Sequence, residues 1–351
     1  MLFECIPVQK YLPAGVTNTS REQYIFRIEA THENPYIPDF SHDTLCLPHK
    51  VCWLRKDVKL LMKITDVLQS DRVTLSMEVF PPKTTTAVEK VNEAVRDIAA
   101  LKPDFMSVTY GAAGGKNSKY TIQIAKDIKD AYGVNSIAHL TCLSSTRETV
   151  ENQIRLMKEA GIENILALRG DIPQDADFPL PDQFHYAAEL VREIKRLAPD
   201  MCIGGACYPE GHPEASSKAE DILHIKEKVD AGCEFLTTQM FFDNSIFYNY
   251  LYRLREAGIM VPIIAGIMPI TRKNQVARSI QLSGSCVPAR FKSIVDWFGD
   301  EPAKMKQAGI AYATDQIIDL IANGVKHIHV YTMNDPEVAA GIQNNLSEII
   351  G

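Results

Sequence analysis

The sequence predicts an α/β protein built as a (β/α)8 barrel of the TIM type. Three observations lead to this fold class. From Val73 onward, short apolar runs alternate with amphipathic helical stretches, which is the pattern of repeated βα units. Eight such units follow one another over about 290 residues, the repeat number and length of a TIM-type barrel. Polar side chains stand at the ends of three of the predicted strands, where a barrel enzyme builds its active site.

The predicted elements alternate regularly along the chain. The apolar runs predict strands over residues 73–80, 104–110, 135–141, 164–168, 201–207, 234–239, 261–266 and 326–331. Amphipathic spacing predicts helices between them, among others over Ala87–Leu101, Arg147–Ala160, Tyr186–Leu197, Glu220–Ala231 and Ile246–Ala257. Three helices end in an Ala-Gly pair, at Ala160-Gly161, Ala231-Gly232 and Ala257-Gly258, a common helix stop signal.

A doubly wound sheet is the alternative fold. Such a sheet favours a glycine-rich turn after its first strand, where a dinucleotide phosphate binds. Here that turn carries Pro81-Pro82-Lys83, so the barrel is favoured.

The first predicted strand ends in a carboxylate followed by two prolines. Polar and apolar residues alternate along this strand, so that Glu78 shares a face with Ser76 and Phe80. Pro81 and Pro82 end the hydrogen-bond ladder directly afterwards. A carboxyl group held among apolar residues at a strand end is placed where a proton donor with a raised pKa is usually built. A solvated strand-end glutamate is the alternative interpretation.

Two further strand ends repeat this design. Asp171 follows the apolar run Ile165–Leu168 within Arg169-Gly170-Asp171, and Gln239 follows Phe235–Thr238. Because the carboxyl ends of all strands in a barrel face one rim, we expect Glu78, Asp171 and Gln239 to meet at a single active-site mouth.

Composition limits the classes of function. The 351 residues are 46% hydrophobic and 23% charged, with a net charge of −7, a balance typical of an enzyme with a large core and unlike that of a nucleic-acid binder. No apolar run reaches the ~18 residues of a membrane span. The eight cysteines form no CxxC pair and no secretory signal precedes them, so they are interpreted as reduced thiols of a cytoplasmic protein.

The first 61 residues differ from the rest of the chain. They contain five prolines and show no helical periodicity. Met62 then opens a segment with the character of a native start. We therefore expect residues 1–61 to be a non-native or disordered extension and residues 62–351 to form the catalytic barrel. A small ordered arm is the alternative.

Two other patterns resemble ligand-binding motifs, a phosphate-binding loop and a metal site, but neither site is favoured. Residues 111–116 resemble a phosphate-binding loop, but their spacing is one residue short of that motif. His327 and His329 share a face of the last predicted strand and could bind a metal together with His139 and Asp171. Packing of these histidines in the barrel core or rim is favoured, so no metal is expected.

A series of short motifs runs in order from Val73 towards the C-terminus. They are Glu78-Val79-Phe80-Pro81-Pro82-Lys83, Ser107-Val108-Thr109-Tyr110-Gly111, His139-Leu140-Thr141-Cys142, Leu168-Arg169-Gly170-Asp171, Tyr208-Pro209-Glu210-Gly211-His212-Pro213-Glu214, Lys228-Val229-Asp230-Ala231-Gly232, Thr238-Gln239-Met240-Phe241-Phe242-Asp243 and Gly266-Ile267-Met268-Pro269. In content and order, they closely resemble the methylenetetrahydrofolate reductases, of the bacterial type with the catalytic domain alone. The resemblance implies a (β/α)8 barrel with non-covalent FAD. It also implies reduction of 5,10-methylenetetrahydrofolate to 5-methyltetrahydrofolate by NADH or NADPH, for methionine synthesis.

The resemblance implies roles for individual residues. Glu78 matches the general acid, which protonates a folate amine nitrogen so that the ring opens to an iminium that accepts hydride. Asp171 matches the carboxylate near the flavin N1–C2 edge, and Gln239 matches the amide that hydrogen-bonds the pterin. The positions that match FAD contacts are Thr109, His139, Arg169, Gly170, Asp171, Tyr186, Ala206, Tyr208, His212, Asp221 and Lys228.

The chain departs from the family pattern at a few positions. Glu227 stands where a basic residue is expected, and His224 replaces an amide. Ile270–Asn274 diverges as well, and Ser279 aligns near a position where an aromatic residue stacks on the substrate. We therefore expect the contacts to the diphosphate or adenosine, and the packing of the substrate, to differ from those in other members.

Two further functions stay open at the level of the sequence: a metal-dependent barrel hydrolase and a flavin-free barrel that binds pterin. The implied partners are a folate and a nicotinamide nucleotide, without nucleic acid or membrane, and a homo-oligomer is expected. The regulatory domain that binds S-adenosylmethionine in eukaryotic members is not expected here.

Overall fold

The chain forms two units, Met1–Leu60 and Leu61–Gly351. The structure, a computed structural model, describes residues 62–82, 87–110, 118–143, 145–171, 182–283 and 286–350, together with four short strands of the first unit. Those strands form two antiparallel pairs, β1 (Glu4–Pro7) with β2 (Tyr24–Arg27) and β3 (Leu45–Cys46) with β4 (Cys52–Trp53). The expectation that this segment is not a native part of the enzyme stays a prediction.

Eight parallel strands of the second unit close into a barrel. They are β5 (Thr74–Val79), β6 (Phe105–Val108), β7 (Asn135–Thr141), β8 (Asn164–Leu168), β9 (Cys202–Cys207), β10 (Phe235–Thr238), β11 (Ile263–Ile267) and β12 (His327–Tyr331). Each strand pairs with the next, and β12 pairs with β5, with Tyr331 opposite Glu78. The predicted (β/α)8 barrel is confirmed, and each predicted strand lies within two residues of its observed bounds.

Helices connect the strands and cover the barrel. They are α1 (Ile64–Leu68), α2 (Val88–Ala100), α3 (Ser118–Asp130), α4 (Arg147–Glu159), α5 (Ala187–Leu197), α6 (Lys218–Asp230), α7 (Asn244–Glu256), α8 (Lys273–Ser283), α9 (Ala289–Phe298), α10 (Pro302–Ala322), α11 (Pro336–Asn345) and α12 (Ser347–Ile350). The side chains of Thr146, Ser217 and Asp243 accept backbone hydrogen bonds in the first turns of α4, α6 and α7, so these helices begin at N-caps. Gly161 and Gly232 adopt a positive φ after α4 and α6, as the predicted Ala-Gly stops require. Among the described helices, none combines the length and apolarity of a membrane span.

The two faces of the strands have different neighbours. In β5, the apolar residues Leu75, Met77 and Val79 belong to the large buried cluster that includes the apolar face of α2. The alternating residues, among them Ser76 and Glu78, form the other face of the strand, which points into the barrel. Helix packing therefore uses one face of the strand and leaves the other for the interior and its carboxyl rim.

Helix α1 closes the amino end of the barrel. Ile64, Val67 and Leu68 are buried in a cluster with interior side chains of the strands, among them Phe105 and Phe235. Burying each of these aliphatic side chains contributes about 1.5–3 kcal/mol. The barrel interior is thus filled at this end, and its carboxyl end carries the polar residues.

Two asparagines fix the entry into α1. The backbone N–H of Met62 donates to Asn135 Oδ1 at 2.7 Å, and that of Ile64 donates to Asn164 Oδ1 at 2.9 Å. Asn135 and Asn164 are the first residues of β7 and β8. The ordered barrel unit therefore includes the chain from Met62 onward.

Candidate active site

A cavity of about 870 Å³ lies at the carboxyl ends of the barrel strands, within the ~300–1,000 Å³ typical of ligand sites. All the residues predicted for the site line it: Glu78, Thr109, His139, Arg169, Gly170, Asp171, Tyr186, Ala206, Tyr208, His212, Asp221, Lys228 and Gln239. The structure therefore brings the predicted residues together, while their individual roles stay predictions. The glycine-rich stretch 111–116, considered as a phosphate loop, lies outside the described residues.

Glu78 faces two imidazoles. Its Oε2 atom lies 3.7 Å from Nε2 of His139 on β7 and 3.8 Å from Nε2 of His329 on β12. Burial lowers the pKa of His139 to about 4, although the neighbouring Glu78 raises it. At neutral pH, His139 is therefore an uncharged neighbour of this carboxyl group.

His329 is held inside the barrel by two hydroxyl groups. Its Nδ1 atom lies 2.8 Å from Ser76 Oγ, and its Nε2 atom lies 3.2 Å from Ser107 Oγ. His327 lies opposite Thr74, at the amino end of the strand pair, with its Nδ1 atom 2.9 Å from Thr74 Oγ1. The side chains named for a metal-dependent hydrolase are therefore not gathered at one point. Within the described ranges, no group of three His, Cys, Asp or Glu side chains is arranged to hold a metal ion.

The turn after β8 carries Arg169, Gly170 and a carboxylate. Gly170 has a φ of +86°, and a Cβ there would lie 3.0 Å from Cβ of Thr141, so this turn needs glycine. The Arg169 guanidinium makes a bidentate ion pair with Glu214, with Nη1 2.7 Å from Oε2. The hydrogen bond to Glu214 raises the pKa of Arg169, so this cation is already paired with a carboxylate at the cavity.

Asp171 places a carboxylate beside Tyr208. Burial, followed by the charge of Asp171, raises the pKa of Tyr208 to about 12. The phenol therefore stays protonated at neutral pH, and it packs edge-on against the ring of His212 with 4.7 Å between centroids.

Helix α6 supplies one wall of the cavity. Lys228 donates from Nζ to the carbonyl oxygen of Ala206 at 2.6 Å, and burial lowers its pKa. Its stem passes over Gly205, where a Cβ would lie 2.6 Å from Lys228 Cδ. Asp221 lies about two turns before Lys228 on the same helix. Its side chain is buried, with 4% exposure, and burial raises its pKa. This wall thus brings a buried ammonium and a buried carboxyl group to the cavity.

Gln239 is fixed at the end of β10. Its backbone N–H donates to the carbonyl oxygen of Cys207 at 2.7 Å, and its own Oε1 atom accepts from the N–H of Met240 at 2.9 Å. The amide oxygen therefore accepts one hydrogen bond within the chain, and its second lone pair and the amide nitrogen remain for a ligand.

Comparison with known proteins places the chain in a family. The family model for methylenetetrahydrofolate reductase matches residues 63–347. The chain belongs to this family.

Relatives in the reductase family differ in length. The 5,10-methylenetetrahydrofolate reductase of Pectobacterium carotovorum subsp. carotovorum is 36% identical over 275 residues, which cover 78% of this chain and 90% of that protein. The Escherichia coli (strain K12) reductase has the same identity, with 78% and 91% covered. The methylenetetrahydrofolate reductase (NADH) 1 of Zea mays is 34% identical, but the match spans 83% of this chain and only 51% of the plant protein.

A solved structure shows the same fold at low identity. It is an uncharacterised protein from Clostridium thermocellum, described as binding two copies of 5-methyl-5,6,7,8-tetrahydrofolic acid, with a TM-score of 0.54 and 14% identity. The match covers 82% of this chain and 99% of that chain, which agrees with the barrel fold.

The cofactor implied by the reductase family fits the donors and acceptors of the cavity. His139 Nε2, Arg169 Nε and Asp221 Oδ2 are buried and have no hydrogen-bond partner among the described residues. Leaving such atoms unpaired costs about 1–3 kcal/mol each. A ligand with both acceptors and donors, such as the diphosphate, ribose hydroxyls and flavin edge of FAD, can satisfy all three.

Two of the positions that were predicted to depart from the family pattern, His224 and Glu227, contact each other. The ring of His224 stacks on the ring of Tyr186, with an interplanar angle of 11° and 6.3 Å between the ring centroids. The Nδ1 atom of His224 lies 3.6 Å from Oε2 of Glu227. All three residues line the cavity, as does the buried Ser279. The predicted differences therefore fall at the cavity itself.

Among the cavity-lining residues that were not predicted for the site, two make specific contacts. Glu214 belongs to a family motif, but no sequence feature shows that it pairs with Arg169, which lies 45 residues away. Tyr331 lines the cavity and shares a strand face with His327 and His329, so the alternation of residues in β12 is the signal that could have identified it.

Proposed function

We propose that the protein reduces 5,10-methylenetetrahydrofolate to 5-methyltetrahydrofolate, with NADH or NADPH as the electron source and non-covalent FAD as the cofactor. The observation that carries this proposal is the convergence of Glu78, Asp171 and Gln239, with the residues matched to FAD, on one cavity. Bacterial relatives named for this activity support it, since each is matched over at least 90% of its length.

Four side chains would hold the cofactor. Arg169 and Lys228 offer positive charge for the diphosphate, and the unpartnered atoms of His139 and Asp221 offer further hydrogen bonds. FAD, when bound, would accept hydride from the nicotinamide nucleotide and deliver it to the folate. Both terminal nitrogens of the Arg169 guanidinium donate to the Glu214 carboxylate. The diphosphate would therefore either share the guanidinium with Glu214 or displace Glu214 from it.

Glu78 would supply the proton that opens the folate ring. An aryl amine nitrogen is weakly basic, so a carboxylic acid within hydrogen-bond reach is needed to protonate it. His139 is uncharged at neutral pH, so it lies beside Glu78 without forming an ion pair with it. Gln239 would orient the pterin by donating from its amide nitrogen, and the second lone pair of its amide oxygen, which already accepts from Met240, could accept from the pterin.

In the cell, the product would supply methyl groups for methionine synthesis. We expect this to take place in the cytoplasm, in a homo-oligomer.

An absorbance spectrum and two anaerobic half-reactions test the proposal. The purified protein is expected to show flavin absorbance, to be bleached by NADH or NADPH, and to be reoxidised by methylenetetrahydrofolate in a stopped-flow experiment. A colourless protein that binds folate would support the flavin-free pterin-binding barrel instead. Bound zinc without flavin would support the hydrolase. Comparison of NADH with NADPH in the first half-reaction identifies the electron donor.

A further inference from the structure

The last barrel strand ends in a short turn that contacts two other strand ends. In this segment, Tyr331–Asn334, the phenol of Tyr331 donates to the carbonyl oxygen of Thr238 at 2.6 Å, and Thr332 Oγ1 donates to the carbonyl oxygen of Glu78 at 2.6 Å. We call this segment the β12 turn. Thr238 is the residue before Gln239, so the turn is bonded to the main chain at the proposed acid and next to the proposed pterin-binding amide.

Asn334 adds two more bonds to the same end of β5. Its Nδ2 atom donates to the carbonyl oxygen of Phe80, and its Oδ1 atom accepts from the N–H of Phe80, both at 2.9 Å. Met333 and Asn334 have φ values of 56° and 54°, a left-handed conformation that is uncommon for residues other than glycine. Such conformations persist where the surrounding structure imposes them, often at functional sites.

The phenol reaches Thr238 by crossing over the strand that lies between. A Cβ on Gly266 of β11 would lie 2.5 Å from Tyr331 Oη and 2.3 Å from the Thr238 carbonyl oxygen. The N–H of Gly266 donates to Thr238 Oγ1 at 2.9 Å. Only glycine therefore allows this contact, and three adjacent strands build it together.

The Tyr331 hydroxyl is suited to a fixed role as a donor. Burial, and then the neighbouring Glu78, raise the pKa of Tyr331 well above its ordinary value, so the phenol keeps its proton at neutral pH. Its ring also packs edge-on against His329, with 5.4 Å between centroids. The side chain is thereby held on two sides.

We infer that Tyr331 is a positioning residue for the folate step, acting through Gln239. By holding the Thr238 carbonyl, the phenol fixes the peptide from which Gln239 projects, while the rest of the β12 turn holds the main chain at Glu78. The two groups that must contact the folate, the acid and the amide, are thus kept at a set separation. The inference rests on the proposed function and adds a residue to it.

The variant Tyr331→Phe tests this role, since it keeps the ring and removes only the hydroxyl. Tyr312→Phe is the matched control, because that phenol also donates to a backbone carbonyl, of Phe242, at 2.9 Å, but does not line the cavity. The probe is 5-methyltetrahydrofolate titrated into the FAD-loaded protein and followed by flavin absorbance. The Phe variant at position 331 is expected to bind it about three- to tenfold more weakly, the loss of roughly one hydrogen bond. The control is expected to bind it as the parent does.

A double variant shows whether the effect passes through Gln239. In a Gln239→Ala background, adding Tyr331→Phe is expected to cause little further loss, because the group that it positions is already gone. FAD affinity and flavin reduction by NADH or NADPH are expected to stay close to parent values in Tyr331→Phe. A general loss of structure would lower all of these together.

Three outcomes would overturn the inference. They are parent-like folate binding in Tyr331→Phe, an equal loss in the Tyr312→Phe control, and a full additional loss in the Gln239→Ala background. If the Phe variant did not fold, Thr332→Val would test the β12 turn instead, because it removes only the hydroxyl that donates to the Glu78 carbonyl oxygen; parent-like folate binding in that variant would overturn the inference. A parent protein that retains no flavin or binds no folate would refute the proposed function itself, and the inference with it.

Discussion

The Nε2 atom of His139 lies 3.7 Å from the Oε2 atom of Glu78, in a buried part of the cavity. Burial lowers the pKa of His139 to about 4, so its imidazole is uncharged at neutral pH. The imidazole of His139 therefore lies beside the Glu78 carboxyl group without adding a positive charge there.

Replacing Glu78 by Gln is expected to remove the proton donor and keep the shape of the site. General acid catalysis typically contributes ~10²–10⁴-fold, so the reoxidation of reduced flavin by methylenetetrahydrofolate should slow by about that factor. Reduction of the flavin by NADH or NADPH should continue, and it serves as the internal control. Stopped-flow absorbance under anaerobic conditions measures both steps. Reoxidation at the parent rate would show that another group delivers the proton.

Protonation of His139 is expected to destabilise the folded protein at mildly acidic pH. Its folded pKa of about 4 lies below the ordinary value of about 6.5, so the unfolded chain binds more protons between these values and stability falls as the pH decreases through them. Between pH 7 and pH 5 this contributes a loss of about 2 kcal/mol. Urea unfolding of the parent and of His139→Asn at both pH values measures the difference.

His327 offers the matched control for that experiment. Burial also lowers its pKa to about 4, yet it lies at the other end of β12, away from Glu78. His327→Asn should therefore reduce the pH dependence of unfolding without affecting the cavity. A parent-like pH dependence in both variants would contradict the burial argument for both histidines.

Asp171→Asn is expected to make the flavin easier to reduce. A fixed negative charge near the flavin N1 region disfavours electrons on the ring, and the Asn side chain removes only that charge. The midpoint potential should become more positive, and the folate half-reaction should slow because the reduced flavin is a weaker hydride donor. Spectroelectrochemical titration decides the matter. If Asp171 only caps the turn after its strand, the variant would instead lose thermal stability at an unchanged potential.

Removal of residues 1–61 is expected to leave a folded, yellow and active protein. The interior side chains at the amino end of the barrel are covered by α1, which begins after Met62.

A second truncation that starts at Ser70 removes Ile64, Val67 and Leu68, each of which contributes about 1.5–3 kcal/mol when buried. That protein should aggregate or melt at a much lower temperature. Loss of FAD from the first truncation would show that residues 1–61 are structural.

The sequence is sufficient to predict the polar residues at the strand ends. Each of them follows an apolar run, and the carboxyl ends of all barrel strands lie at the same rim. The sequence alone therefore assigns Glu78, Asp171 and Gln239 to one active-site mouth, and all three line the same cavity. The ion pair between Arg169 and Glu214 could not be predicted, since it depends on how a loop after β9 folds back across β8. Local alternation reports which face a residue occupies, but not which residue stands opposite.

Helix α1, which closes the amino end of the barrel, was not predicted from the sequence either. Ile64–Leu68 is only five residues long, too short for a helical periodicity to be recognised. Its role depends on the diameter of the barrel and on Asn135 and Asn164, which accept its backbone N–H groups. These are contacts across 73 and 100 residues of sequence, and no local pattern encodes them.

The closure of β12 on β5 has a consequence for how the enzyme is made. Ser76 and His329 are 253 residues apart along the chain, so the ribosome releases the first strand long before its last partner exists. Until then, β5 carries an unpaired edge and Glu78 lacks both His329 and the β12 turn. Contacts of this separation form late and slowly. A nascent chain that has not yet reached β12 would thus contain Glu78 but not the side chains and the turn that surround it.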